Sequence, residues 1–211
     1  MLNYENVKRN PEIRALIEAG SNALGVLGFT DHGFAHAELA AATAGRLLDT
    51  LDYDERTCEL AKIAGFMHDI GNAVNRCNHA MSGALLAYDL LRSMGAETHE
   101  AISIMTAIGN HDEGTAASVT PLCAALILAD KSDVRRSRVR AKEPYFDIHD
   151  RVNYAVEHAA TVIDTEHKTA TLDIRIDTAI CPVMEYFEIF MTRMVLCRQA
   201  AQYLGLQFEL V

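Results

Sequence analysis

A basic excess, long apolar runs and paired-cysteine motifs are all missing from this 211-residue chain. Lys and Arg number 19 against 29 Asp and Glu, a formal charge of −10 with histidine neutral. A general nucleic-acid binder shows a basic face, so that class is set aside. No apolar run approaches the roughly 20 residues that cross a bilayer. Met1-Leu2-Asn3-Tyr4-Glu5 lacks the basic-then-apolar order of a secretory signal. The cysteines, Cys58, Cys77, Cys123, Cys181 and Cys197, form no Cys-x-x-Cys. That argues against zinc-finger chemistry and for buried thiols in a reduced, cytoplasmic protein. No Pro- or Gly-rich linker, low-complexity tract or internal repeat interrupts the sequence. Half of the residues are apolar, which is enough for one full domain with an appendage.

Residues 10–142 read as successive helices. Ile13, Leu16, Ile17 and Leu24 give an amphipathic stretch over 11–27. Thr30-Asp31 offers N-cap chemistry for a helix carrying His36, Leu39, Ala40, Leu47 and Leu48. Asp52 or Asp54 caps the next, with Leu60, Ile63, Ala64 and Met67 on its face and Gly71 just past its end. Asn78 opens a helix that stops near Gly95, residues 97–108 form another closed by Gly109, and Thr120-Pro121 opens the last. After Pro144 the texture changes. Residues 171–177 alternate, with Leu172, Ile174 and Ile176 on one side and Asp173, Arg175 and Asp177 on the other, as in a half-buried strand. Residues 160–163 are its expected hairpin partner across a turn at 165–168. Pro182 starts a long helix ended by Gly205, and 206–211 supply a third strand. The strand edges need partners, so a homodimer through this extension is expected.

Chemistry concentrates in a few scattered residues: His36, the adjacent pair His68-Asp69, then His79, His111 and Asp130. His36, His68, Asp69 and Asp130 offer two imidazoles and two carboxylates from three helices, a donor set suited to a catalytic metal with an open position. Gly65 and Ala64, one turn before His68, leave room for close approach.

The ordered set His36 … His68-Asp69 … Asp130 resembles that of the HD-domain superfamily of metal-dependent phosphohydrolases. The similarity includes Phe66-Met67-His68-Asp69-Ile70-Gly71-Asn72, Asp31-His32-Gly33 ahead of His36, and Leu128-Ala129-Asp130-Lys131, and covers residues 20–142. It implies an HD-type helical bundle for the core at 1–142; with the α+β extension of two to three strands and one long helix read from the residue pattern at 143–211, a mainly α fold is expected. It also implies that His36, His68, Asp69 and Asp130 bind a first metal, and that His79 and His111 hold a second ion in binuclear branches. Some binuclear members have adjacent histidines where this chain has Asn110-His111. The cofactor expected is one or two divalent ions, Mn, Fe, Co, Ni, Zn or Mg, and a histidine-rich site favours a transition metal over Mg.

The expected reaction is attack of a metal-activated water on a small phosphorylated metabolite, nucleotides among them. Asp69 and Lys131 are the catalytic candidates. Read as a continuing helix, Lys131, Arg135, Arg138 and Lys142 form one basic stripe, so Lys131, Arg135 and Arg138, with His32, are the candidate substrate-binding residues. Asp133 is expected to orient Lys131 or a water. A di-iron oxygenase and a non-catalytic nucleotide-sensing module are the competing readings.

Overall fold

The computed structural model describes residues 2–114, 116–141 and 146–211. Seven helices come first: α1 (Tyr4–Arg9), α2 (Pro11–Val26), α3 (Phe34–Thr50), α4 (Glu55–Met67), α5 (His79–Ser93), α6 (Thr98–Gly109) and α7 (Pro121–Lys131). A short 3-10 turn, Ile70–Ala73, follows α4, and another, Arg136–Arg138, follows α7. The extension holds α8 (Ile148–Ala155), β1 (Val156–Asp164), β2 (Thr169–Ile176), α9 (Val183–Tyr203) and β3 (Gln207–Leu210). The mainly α architecture with a small C-terminal α+β extension is therefore as the sequence predicts. No helix among the described residues is long and apolar enough to cross a membrane.

Local chemistry explains most boundaries. Asp54 Oδ1 accepts the Thr57 N–H at 3.0 Å and starts α4, and Thr120 Oγ1 accepts the Cys123 N–H at 3.1 Å and starts α7 ahead of Pro121. Gly95 and Gly205 take the left-handed backbone that ends α5 and α9. One expected cap is overturned. Helix α3 starts at Phe34 with Gly33 as its N-cap and no side-chain cap. The Asp31 carboxylate turns away instead, to the Ser21 hydroxyl at 3.1 Å and the Arg140 guanidinium at 2.6 Å. Two short helices, α1 with six residues and α8 with eight, are too brief for an apolar spacing to repeat along them. Asn3 and Asp147 side chains cap them.

The helices pack around one apolar core in which Leu48, Ile63, Phe66, Met67, Ile104 and Leu126 are fully or almost fully buried. Helix α3 lies so close to α4 that a Cβ on Gly65 would stand 2.7 Å from the Ala41 backbone. A second apolar cluster joins Leu47, Ile127, Leu128 and Val134 to Val152, Leu172, Phe190, Met194 and Cys197, so the extension packs directly on α3 and α7. Its sheet has the order β1-β2-β3, antiparallel then parallel. The parallel pair β2 and β3 is joined by α9, as parallel strands require a crossover. Leu172, Ile174 and Ile176 all contribute to the apolar cluster, as the alternation predicts.

The basic stripe does not exist as a helix face. Helix α7 ends at Lys131, and the chain reverses through Ser132–Arg135 into the Arg136–Arg138 turn. The Asp133 carboxylate drives the reversal by drawing in Arg135 Nε at 2.7 Å and Arg138 Nη1 at 3.6 Å. Lys142, the last residue of the expected stripe, lies outside the described residues, as does Pro144.

Candidate metal centre

Each expected ligand sits at or near a helix end, and the ends converge. His36 comes from the first turn of α3, His68 caps the C-terminus of α4, and Asp69 follows it. His79 is the first residue of α5, His111 lies just beyond α6, and Asp130 is in the last turn of α7. The four histidines are 0–2% exposed and Asp69 is 8% exposed. The turn after α4 is held against α5, where a Cβ on Gly71 would collide with the His79 carbonyl oxygen and the Gly83 nitrogen. Only glycine fits there.

One local rule orients three of the rings. His68 Nδ1 bonds the Gly65 carbonyl at 2.8 Å, His79 Nδ1 the Arg76 carbonyl at 3.1 Å, and His111 Nδ1 the Ile108 carbonyl at 2.6 Å. Every partner is the carbonyl three residues earlier. A carbonyl only accepts, so each Nδ1 carries the proton and each Nε2 presents a lone pair. His36 reaches the same state through a carboxylate, with Nδ1 2.7 Å from Asp133 Oδ2. Histidines that ligate metals are oriented in this way.

The bare Nε2 atoms then face one another and the two ligand carboxylates. His36 Nε2 is 3.1 Å from His68 Nε2, 3.3 Å from Asp130 Oδ1 and 3.7 Å from Asp69 Oδ2. His68 Nε2 is 3.3 Å from Asp69 Oδ2 and 3.6 Å from Asp130 Oδ1. On the far side of Asp69, His79 Nε2 lies 3.4 Å from Oδ1 and 3.3 Å from His111 Nε2. Among neutral imidazoles most of these contacts set acceptor against acceptor; the donors that reach the cluster are Arg76 Nη1, 3.3 Å from His79 Nε2, and Asn72 Nδ2, 2.8 Å from Asp69 Oδ1. Asp69 Oδ2 is buried and takes no hydrogen bond from any described residue. Such an arrangement is repulsive unless a cation lies within it, and the residues fit a metal ion on that ground. His36, His68 and Asp130 form one group with metal-ligand spacing, and His68, Asp69 and His111 form another. The two oxygens of Asp69 address the two histidine pairs.

Electrostatics point the same way. Burial opposes a charge on His68, but the Asp69 and Asp130 carboxylates outweigh it and raise its pKa to about 10. Burial would raise Asp69 and Asp130, yet the His68 imidazolium beside Asp69, and Lys131 and the histidines beside Asp130, hold both well below the usual carboxylate range. Burial, with the positive charges of His68 and Lys131, pushes His111 down to about 3. Burial also lowers His79. Without metal, one proton on His68 satisfies the first pair, while His79 and His111 stay neutral and Arg76 Nη1, 3.3 Å from His79 Nε2, is the donor that reaches the second.

The rim of the centre is cationic. Arg76, Lys131, Arg138 and Arg193 line the same small cavity as Asp69, His79, His111 and Asp130. Lys131 Nζ is 2.8 Å from Asp130 Oδ2, the oxygen turned away from His36. Arg193 comes from α9 and is tied to the core by Glu113 at 2.6 Å. Of the expected substrate-binding residues, His32, Lys131 and Arg138 do line this cavity, and His32 packs edge-on to His36. Arg138 is buried, and it bonds the Asp31 carbonyl at 2.9 Å and the Asp133 carbonyl at 2.6 Å. Arg135 is not on the lining; Asp133 holds it. Asp133 orients His36 rather than Lys131, the second correction in this segment.

Sequence reasoning misses Arg76 and Arg193. Arg76 stands three residues before His79, a spacing that carries a signal once His79 is a ligand. Arg193 has no local signal, because only the packing of α9 on α7 delivers it. No family model matches the chain. Over 170 residues it is 25% identical to an uncharacterized protein of Methanocaldococcus jannaschii, a match that covers 69% of this chain and 65% of that relative's length.

Proposed function

We propose that this chain is a metal-dependent phosphohydrolase of the HD-domain superfamily, cleaving a phosphoester or phosphoanhydride of a small phosphorylated metabolite. The observation that carries the reading is the pairing, in one cavity, of a buried His/Asp cluster with metal-ligand spacing and a rim of Arg76, Lys131, Arg138 and Arg193. Phosphoryl transfer is mainly positioning and charge neutralisation, so a site for it needs both.

In this reading His36, His68, Asp69 and Asp130 would hold one divalent ion, and Asp69 with His79 and His111 would hold a second. A bound divalent ion acidifies water and polarises a phosphoryl oxygen at neutral pH. Asp133 keeps the His36 tautomer that ligates. Lys131 restrains Asp130 through the carboxylate oxygen that His36 does not face, and presents its charge to the cavity. Arg76 and Arg193 approach from opposite sides of the chain and neutralise phosphate oxygens.

The same donor set suits a di-iron oxygenase; the cationic rim, which would neutralise phosphate, favours hydrolysis. The test is elemental analysis of protein purified without a metal-binding tag, then an anaerobic screen of phosphorylated metabolites for phosphate release. Release without oxygen supports the reading. Strict oxygen dependence would reverse it, and tight binding with the compound returned intact by metal-loaded protein would make the chain a sensor.

A further inference from the structure

The metal cavity shares His32, Arg76, Arg138 and Arg193 with a neighbouring cavity of about 200 Å³. The far wall of this chamber comes from the extension: Asp150 and Asn153 on α8 and Phe190 on α9. The segment after α2 closes another side with Phe29. Aromatic rings stand at the junction of the two cavities, since Arg76 lies over the Phe29 ring at 5.5 Å and Arg193 over the Phe190 ring at 4.4 Å.

The α8 wall carries two acceptor side chains that face the cavity and that no described residue engages. Asp150 is 6% exposed, and its carboxylate takes no hydrogen bond or ion pair from any described residue; only its backbone N–H is engaged, by Asp147. Asn153 is 5% exposed and donates its amide N–H to the His149 carbonyl at 2.9 Å, while its Oδ1 accepts from no described residue. His32 spends its Nδ1–H on the Thr30 carbonyl at 2.7 Å, which leaves Nε2 bare. These acceptors open onto the cavity, where a ligand can bring the donors. The chamber is thus bipolar, with guanidinium groups toward the metal centre and unpartnered acceptors at the other end.

We propose that this chamber receives the organic part of the substrate, and that Asp150 and Asn153 select phosphate compounds whose organic group donates hydrogen bonds. Suitable donors are the hydroxyls of a pentose or the ring N–H and amino groups of a base. The phosphate end of the proposal rests on the phosphohydrolase reading; the donor-seeking wall does not. The volume is below the roughly 300–1,000 Å³ of pockets that enclose drug-sized ligands, which suits a small organic group. The inference also gives the extension a task beyond packing, because α8 and α9 supply the specificity wall.

The test uses the full-length protein loaded with Mn²⁺ and three probes: guanosine 5′-monophosphate, ribose 5-phosphate and phenyl phosphate, the last with no donor on its organic group. The readout is the ratio of kcat/KM for each donor-bearing probe to that for phenyl phosphate. Asp150→Asn, with melting temperature checked, is expected to lower that ratio by roughly 10- to 100-fold, the loss typical of a hydrogen bond to a charged group. Asn153→Leu provides a second variant with the same expected direction. A fall for ribose 5-phosphate assigns the wall to sugar hydroxyls, and a fall confined to the nucleotide assigns it to the base. Ratios unchanged in both variants would overturn the proposal. If wild-type protein releases phosphate from none of the probes, turnover does not read the chamber, and the phosphohydrolase reading stands or falls on the metabolite screen above. Calorimetric binding of the same three compounds then decides the chamber: equal affinity for all three overturns it, and a donor preference lost in Asp150→Asn supports it.

Discussion

The Nδ1 atom of His36 lies 2.7 Å from the Asp133 carboxylate, joining the first turn of α3 to the chain just past α7. The same carboxylate binds Arg135 and Arg138. It is held well below the usual carboxylate range: burial opposes the charge, but the His36 hydrogen bond and the Arg138 guanidinium prevail. Asp133 therefore stays ionised and fixes the tautomer of a histidine 97 positions away. The other three ring histidines rely on carbonyls three residues behind them, so His36 is the one whose orientation depends on tertiary structure.

Asp133→Asn should weaken metal binding by about 10- to 100-fold, the usual effect of removing the group that orients a ligating histidine. Competition titration against a chelating dye reads it directly. Unchanged affinity would mean that His36 needs no such support.

Asp69→Ala and Lys131→Ala should separate ion holding from phosphate handling. The first removes the carboxylate that faces both histidine pairs, and elemental analysis should find the protein metal-free and inactive. The second should keep its metal stoichiometry while kcat/KM for a phosphorylated substrate falls at least about tenfold. Full turnover by Asp69→Ala would refute the mechanism outright.

Metal binding should depend steeply on pH. In the metal-free fold His68 is raised from 6.5 to about 10, so an incoming ion must displace its proton, and apparent affinity should rise about tenfold per pH unit from 6.5 towards 10. The raised pKa also stabilises the metal-free fold. That contribution is complete below pH 6.5 and disappears as pH climbs through about 10. His111, pushed down to about 3, acts in the opposite sense. Below pH 6.5 the unfolded chain gains a proton there that the folded chain refuses. Metal-free protein should therefore be most stable near pH 6.5, and bound metal should flatten the alkaline decline. Calorimetry in buffers of different ionisation enthalpy should find about one proton released at the first site, and no release would contradict the assignment.

Gly65→Ala should destabilise the fold and loosen the centre together. The added Cβ would sit 2.7 Å from the Ala41 Cα and backbone nitrogen, which cannot move aside as a side chain would. Overpacking of this kind costs about 1–3 kcal/mol, or a drop in Tm on the order of 5 °C in a chain of this size. Gly65 also supplies the carbonyl that orients His68, and Ala41 lies on the helix that carries His36. Thermal melts with and without added Mn²⁺ should show a smaller metal-induced rise than in wild type.

Much of the centre is legible because its rules are local. A histidine at a helix end can reach the carbonyl three residues back, and His68, His79 and His111 all do. The helices themselves follow from apolar spacing, from caps such as Asp54 and Thr120, and from the glycines Gly95 and Gly205. The segment after Asp130 is misread for an equally physical reason. Lys131, Arg135 and Arg138 would share a helix face if α7 continued, but Asp133 recruits three partners at once and the helix gives way to a reversal. Arg76 and Arg193 reach the rim through contacts that no local pattern encodes.

By itself the sequence determined the helical class, the strand alternation of the extension and the identity of the metal-type donors, since these depend on periodicity and side-chain chemistry within a few residues. Tertiary structure alone decided which cations ring the donors, which carboxylate aims His36, and that α8 and α9 wall a second chamber beside the centre. Those outcomes depend on how distant surfaces pack, and burial sets the charge on a histidine or carboxylate only once its neighbours are in place.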